Sequence, residues 1–201
     1  HSLPSAGTTL ARMPNGSTAS RYARVKMVRM NFTPVSSPDS SSEDDLVLVV
    51  ATESDRTYLS RLNFLTDTFG DEFGAVTADF DRDWIYYLQN WTEEKGGFIA
   101  WRGHIPAGGV WLNWGTDELH GFGHVEEGIP ELALAVENRY KGEGIGTALL
   151  EAATELARQM DAPGISLSVA AANERAHRLY LHLGFEQVSE REGHYVLVKR
   201  F

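Results

Sequence analysis

Between Glu131 and Thr147 the chain reads Glu-Leu-Ala-Leu-Ala-Val-Glu-Asn-Arg-Tyr-Lys-Gly-Glu-Gly-Ile-Gly-Thr. An apolar run gives way to glycines at 142, 144 and 146, and then to residues that open a helix. Without a Cβ, glycine lets an anion come close to the backbone and tolerates strained dihedrals. The helix that follows turns unpaired N–H groups and the positive end of its dipole to the same spot. Together these features predict a cradle for a diphosphate. Two familiar cradles fail on spacing. A dinucleotide fold needs G-x-G-x-x-G and an acid about 20 residues on; here the third glycine comes one residue early and the next strand runs into Val169-Ala-Ala-Ala172. A P-loop needs Gly-Lys followed by Ser or Thr, and Lys141-Gly142 has the opposite order.

The elements that must hold this segment can be read from periodicity. Leu46 to Ala51 reads as a strand too apolar for a solvent-washed face. Ser54 or Asp55 caps a helix carrying Leu59, Leu62, Leu65 and Phe69 at helical spacing. A second helix is predicted over Asp81 to Trp91. Gly97–Trp101 and Gly109–Trp114 are predicted as antiparallel strands around a turn at Pro106-Ala-Gly-Gly. The strand Glu131–Val136 leads through the cradle into a helix from Ile145 to Met160, with Ile145, Leu149, Ala152, Leu156 and Met160 inward. A strand at 165–169, a helix from Asn173 to about Leu183 stopped by Gly184, and strands near 185–188 and 195–200 complete the chain.

The length of 201 residues suits one domain, expected over 45–201, plus a tail. Residues 1–44 form an N-terminal extension rich in Ser, Pro and Arg, without an acid until Asp39. Within it, Arg24 to Phe32 alternates enough to add an edge strand. No apolar run reaches the roughly 18 residues of a membrane span, so the expectation is a soluble, cytoplasmic protein without membrane attachment. The net charge of −10 argues against general nucleic-acid binding and is compatible with a cationic substrate. The absence of cysteine excludes disulfides, thiolate metal sites and a Cys nucleophile, and the histidines show no metal spacing.

The stretch 131–188 closely resembles the GNAT superfamily of acyl-CoA-dependent N-acetyltransferases. Its signature of Arg or Gln, two residues, Gly, one residue, then Gly or Ala is matched by Arg139-Tyr-Lys-Gly142-Glu-Gly144. Its second motif is matched by Asn173, Ala176, Leu179-Tyr180 and Gly184-Phe185. The resemblance implies a single α/β (α+β) domain, a mixed and mostly antiparallel sheet flanked by helices. It implies acetyl-CoA as acyl donor, with its pyrophosphate on Gly142, Gly144, Ile145, Gly146 and Thr147. Lys141, Arg139 and Asn173 join as further contacts, and the backbone of Leu134 and Val136 pairs with the pantetheine arm in a slot beside that strand. No metal is implied, and homodimers are common in the family.

In the same reading Tyr180, two helical turns beyond Asn173 on one face, protonates or hydrogen-bonds the departing thiolate. The acceptor is an amine of unspecified identity, and it must be neutral to attack. At a pKa near 10.4 an ammonium is neutral in only about one part in ~2,500 at pH 7, so a base is required. Glu131 is the first candidate; His120, His124, Glu126 and Glu127 in the preceding loop are rivals. The five tryptophans at 84, 91, 101, 111 and 114, with Tyr86 and Tyr87, form either a substrate wall or core packing. The expected reaction is acetyl transfer to a primary amine by direct attack in a ternary complex. Its rivals are a transferase for another acyl-CoA and a non-catalytic CoA-binding module.

Overall fold

In the computed structural model, which describes residues 45–201, the first element is β1 (Leu46–Val50). Thr52 and Asp55 then form a reciprocal cap, with the Thr52 amide donating to Asp55 Oδ2 at 2.8 Å, ahead of α1 (Arg56–Asp67). Leu59, Leu62 and Leu65 bury one face of α1, as their spacing predicts. Phe69 does not follow them. The helix has ended, and Phe69 lies 62% exposed at φ 54, because Gly70 breaks the pattern with a second positive φ. The helix α2 (Phe80–Trp84) continues into a π-helical turn, Ile85–Gln89, rather than running regularly to Trp91. The wider π turn carries Tyr86, Tyr87 and Leu88 as a buried run.

Strands β2 (Gly97–Arg102) and β3 (Ile105–Asn113) form a hairpin whose turn is Gly103-His104, not the expected Pro106-Ala-Gly-Gly. Gly108 and Gly109 are glycines for lack of room inside the sheet. A Cβ on Gly108 would stand 2.7 Å from the Ala135 carbonyl, and one on Gly109 2.8 Å from Leu62 Cδ1. The remaining elements are β4 (Glu131–Val136), α3 (Ile145–Gln159), β5 (Gly164–Ala170), α4 (Glu174–His182), β6 (Glu186–Arg191) and β7 (His194–Arg200). The expectations placed on residues 1–44, the edge strand over 24–32 included, lie outside the described residues.

The seven strands form one sheet in the order β1-β2-β3-β4-β5-β7-β6. Every neighbouring pair is antiparallel except β4 and β5. This is the mixed, mostly antiparallel architecture expected from the sequence. One face carries α3 and α4 over Phe98, Val110, Leu112, Leu132, Leu167 and Leu197. The other carries α1 and the π turn over Ile99, Trp111 and Ala135. The strand β1 departs from expectation, since Val47 and Val49 are about half exposed on its outward face. As an edge strand it pairs only with β2 among the described residues, and no helix covers that side of it.

Candidate active site

The parallel pair at the centre of the sheet is nearly undone. A single register pair, Glu131 with Ser166, joins β4 to β5, supported by Ser166 N donating to the Pro130 carbonyl at 2.9 Å. Beyond it the strands part. On its other side β4 stays paired with β3 along its whole length, from Asn113–Glu131 to Gly108–Val136. The Glu137 amide donates to the Ala107 carbonyl at 2.9 Å, which sets the phase of this ladder. Residues 131, 133 and 135 therefore hydrogen-bond toward β3, while Leu132, Leu134 and Val136 turn their backbone groups toward the gap. The structure thus exposes the amides and carbonyls of Leu134 and Val136 to an extended partner.

At the open end of this gap the chain turns through Asn138–Tyr140 into the glycine segment. Gly142 and Gly144 have φ of 92° and 81°, and a Cβ on either would meet nothing within 4 Å. Their backbones therefore face open space. Gly144 is the N-cap of α3, so the N–H groups of Ile145, Gly146 and Thr147 form the unpaired first turn of a 15-residue helix. Gly146 lies on the wall shared with β4, 3.7 Å from Val136 Cγ2 to its ideal Cβ. This geometry can hold an anion through backbone donors and the helix dipole. The cationic side chains are less committed. Arg139 is exposed with its guanidinium 5.8 Å from the Tyr140 ring centre, and the Lys141 ammonium lies against Gly70 at the end of α1.

The turn into the cradle is tied to α1. Glu137 is buried and accepts two 2.7 Å bonds from Arg61, which also reaches Glu72 at 3.0 Å. The guanidinium holds the Glu137 carboxyl below the usual carboxylate range. Asn138 adds a side-chain bond to the Gly70 carbonyl.

Glu131 opens β4 on the α1 face of the sheet and is 1% exposed. Its Oε1 accepts from the Tyr87 hydroxyl at 2.5 Å and from the Gly123 amide at 2.7 Å; its Oε2 has no partner. Burial raises its pKa to about 7, despite the two hydrogen bonds and the nearby Arg191, which favour the charged form. A loop at 121–123 encloses the carboxylate. Ideal Cβ positions on Gly121 and Gly123 would lie 2.5 Å from Oε2 and 2.8 Å from Oε1, so only glycine fits at either place. Arg191 holds this loop by donating to the Gly121 and Phe122 carbonyls at 3.3 Å, and the Tyr87 hydroxyl accepts from the Phe122 amide.

Three of the four rival bases have partners elsewhere. His120 and His124 stack at 4.7 Å, with His124 beside Asp117 at 3.2 Å and His120 Nδ1 beside the Gly121 carbonyl at 2.8 Å. Glu126 pairs with Arg200 at 2.6 Å, and Glu127 is exposed. Of the five tryptophans, two belong to the core and three are partly exposed. Trp91 and Trp111 are fully buried, and the indoles of Trp91, Trp111 and Trp114 donate to the carbonyls of Gly96, Tyr87 and Lys95.

Tyr180 and Asn173 both come from α4. The Asn173 side chain caps the helix by accepting from Ala176 N at 3.2 Å. The Tyr180 ring is half-buried, 6.1 Å from Phe185, and packs on the core of the α3 face. Burial pushes its phenol up to about 12, and its hydroxyl makes no hydrogen bond among the described residues. Tyr180 and Glu131 thus belong to opposite faces of the sheet. What connects those faces is the gap between β4 and β5. Sequence reasoning named Tyr87 only as an aromatic of a substrate wall or the core and missed Gly121, Gly123 and Arg191; together these four define the surroundings of Glu131.

Comparison with known proteins supplies the relationship. Residues 62–185 match the acetyltransferase (GNAT) family. A mycothiol acetyltransferase of Propionibacterium freudenreichii is 27% identical over 84% of this chain, which spans 53% of that protein's length. A proposed ribosomal protein bS18-alanine N-acetyltransferase of Bacillus subtilis is 32% identical over 67% of this chain and 83% of its own. Among solved structures, the PaiA N-acetyltransferase of Thermoplasma acidophilum in complex with coenzyme A superposes with a TM-score of 0.57 at 15% identity, over 78% of this chain and 99% of that one. No helix among the described residues is long and apolar enough to cross a membrane. With a glycine cradle at the start of α3, a parted β4–β5 pair and this match over most of the described residues, the chain belongs to the GNAT acetyltransferase family.

Proposed function

We propose that the protein transfers an acetyl group from acetyl-CoA to a primary amine by direct attack. The observation that carries this reading is the parted β4–β5 pair, with a backbone anion cradle at its open end and a buried, half-satisfied carboxylate at its closed end. The residues present fit coenzyme A. The open backbones of Gly142 and Gly144, with the first turn of α3, suit its pyrophosphate, and Leu134 and Val136 suit its amides. Arg139, Lys141, Thr147 and Asn173 are the further contacts in this reading; as the structure stands, Asn173 is engaged as a cap and Lys141 lies against Gly70. When bound, acetyl-CoA supplies an activated acyl group on a sulfur leaving group.

Glu131 serves as the base in this reading. An ordinary carboxylate at 4.5 lies about 6 units below an amine near 10.4, an uphill transfer of about 8 kcal/mol. Raising Glu131 to about 7 reduces this to roughly 3.4 units, or about 5 kcal/mol. The freed lone pair attacks the acyl carbon, the C–N bond forms and the C–S bond breaks. The ammonium's first proton goes to Glu131 Oε2 before attack and on to solvent, the second leaves nitrogen for the same oxygen once the C–N bond has formed, and Tyr180 hydrogen-bonds or protonates the departing sulfur and regains its proton from solvent. The amine approaches on the Glu131 face and the cofactor on the Tyr180 face, so the two reactants meet in the gap.

The bS18-alanine acetyltransferase relative favours a peptide amino terminus as acceptor. The test is thiol release from acetyl-CoA across polyamines, aminoglycosides, amino acids, n-butylamine and amino-terminal alanyl peptides. Release that depends on the amine and is lost in Glu131→Gln is expected. Acetyl-CoA binding without release for every amine would refute acetyl transfer in favour of a CoA-binding module.

A further inference from the structure

Four buried side-chain atoms without a hydrogen-bond partner gather beside the candidate base: Glu131 Oε2, Tyr86 Oη, and both Oδ1 and Nδ2 of Asn113. Asn113 is 1% exposed and Tyr86 7%. Their proximity follows from the sheet and the loop. Asn113 is the cross-strand partner of Glu131 in the β3–β4 ladder, so the two side chains project from the same face. Against the backbone of Gly121, Glu131 Oε2 and Tyr86 Cε1 stand 2.5 Å and 2.7 Å from a single ideal Cβ position. Tyr86 Oη stands 2.9 Å from the ideal Cβ of Gly115, two residues past Asn113. Burial first, and then the nearby Glu131 charge, push the Tyr86 phenol up, yet it makes no bond of normal geometry.

Native proteins rarely leave buried polar atoms unpaired, and each unpaired group is destabilising. Four in one place therefore mark a position for a polar guest. Their chemistry defines it. Glu131 Oε2 is an acceptor, Tyr86 Oη accepts through its lone pairs while keeping one O–H to donate, and the Asn113 amide offers one acceptor atom and one donor. This division holds for either orientation of the amide. Three acceptors match the three N–H bonds of a primary ammonium. The donor matches an oxygen beside it, as in the amino-terminal residue of a peptide.

We propose that Asn113 and Tyr86, with Glu131 Oε2, form the recognition site for the acceptor, an α-amino acyl group bearing a primary amine. This rests on the acetyl-transfer reading above and deepens it. Methylating the amine removes one N–H and places carbon against a buried acceptor, so the site discriminates against secondary amines.

The test compares kcat/KM for a short peptide with amino-terminal alanine against the same peptide with N-methylalanine, in wild type, Asn113→Leu and Tyr86→Phe. Wild type is expected to prefer the primary amine at least tenfold. Asn113→Leu is expected to raise the alanyl peptide KM about tenfold and to collapse the preference toward one. Tyr86→Phe should shift both in the same direction, with acetyl-CoA Kd unchanged in each variant. A general structural defect does not selectively erase the preference. If Asn113→Leu fails to fold, Tyr86→Phe decides the matter, because removing an unpaired buried hydroxyl leaves the packing intact. An unchanged preference in a folded variant overturns the assignment and leaves these atoms to structural water. Turnover of n-butylamine but of neither peptide overturns it while sparing acetyl transfer. No turnover of any amine overturns both.

Discussion

Removing the Tyr87 hydroxyl is the sharpest perturbation of the proposed base. Glu131 Oε1 accepts from Tyr87 and from the Gly123 amide, and Oε2 accepts from nothing, so Tyr87→Phe deletes one of two bonds that stabilise the carboxylate. A hydrogen bond to a charged group contributes about 1.5–3 kcal/mol, which at 1.36 kcal/mol per unit raises the pKa by about one to two units. From a starting point of about 7, the wild-type carboxylate is about half ionised at pH 7. In the variant about one-tenth to one-hundredth is ionised, so kcat/KM at pH 7 falls roughly 5- to 50-fold. The distinguishing feature is recovery. The acid limb should move upward by one to two units, and near pH 9.5 the variant should approach wild type. The ring, its edge-on contact with Tyr86 at 4.8 Å and the backbone acceptor for Trp111 all remain. Initial rates of thiol release between pH 5.5 and 9.5 measure the limb, and a chain without cysteine adds no background to a thiol reagent. A limb that stays in place, or moves to lower pH, refutes Glu131 as the group whose ionisation limits the rate.

Tyr180→Phe deletes a hydroxyl that no described residue uses, so turnover should fall about 100-fold while acetyl-CoA Kd, read by calorimetry, stays within about twofold. In Gly144→Val, the left-handed φ of 81° costs a non-glycine residue about 1–2 kcal/mol, and the side chain enters the open face of the cradle. Acetyl-CoA Kd should rise at least tenfold, and an unchanged Kd refutes the cradle. Glu131→Gln should stabilise the fold while abolishing turnover. The native carboxyl titrates at about 7, above its ordinary 4.5, so its penalty is absent below pH 4.5, grows as pH rises through 7 and reaches about 3 kcal/mol. The melting temperature of this variant should exceed wild type at pH 8 and match it at pH 4; equality at pH 8 refutes the burial argument. Glu137→Gln breaks the bond pair to Arg61. Discounted for the 42% exposure of Arg61, the loss is about 1–2 kcal/mol in urea unfolding. Because the Glu137 pKa is lowered, this stabilisation is present above the ordinary carboxylate value and is lost as pH falls through the native one, so the variant should converge on wild type in acid.

The segment from Glu131 to α3 was legible because its features are local. An apolar strand, glycines of which Gly142 and Gly144 have positive φ, and an amphipathic helix each leave a mark within a few residues. The surroundings of Glu131 were not, because Tyr87 lies 44 residues away in sequence and reaches the carboxylate through a π turn that no periodicity announces. Glycines misled where their reason was crowding. Gly108 and Gly109 read as a turn, yet they lie inside β3 where neighbouring strands and α1 leave no space for a Cβ. Asn113 left one usable signal. Two residues after the buried Trp111, alternation places it on an inward position, where a polar side chain is out of character with the strand around it.

The break between β4 and β5 ties these observations together. A fully zipped parallel pair would satisfy the backbones of Leu134 and Val136 and close the passage between the two faces of the sheet. Glu131 stands at the last point where the strands still touch, and on that face Gly123 presses against β5, with its ideal Cβ 2.6 Å from the Leu167 carbonyl carbon and 2.7 Å from Ser168 N. The loop that donates to the carboxylate therefore also lies against the strand that diverges. A residue larger than glycine at 123 would push the loop from the carboxylate or the strand from its position. Carboxylate and gap are consequently one structural unit: the geometry that leaves the backbone of β4 unpaired beyond Glu131 is the same geometry that holds the Glu131 carboxylate, buried and half-satisfied, at the end of the passage.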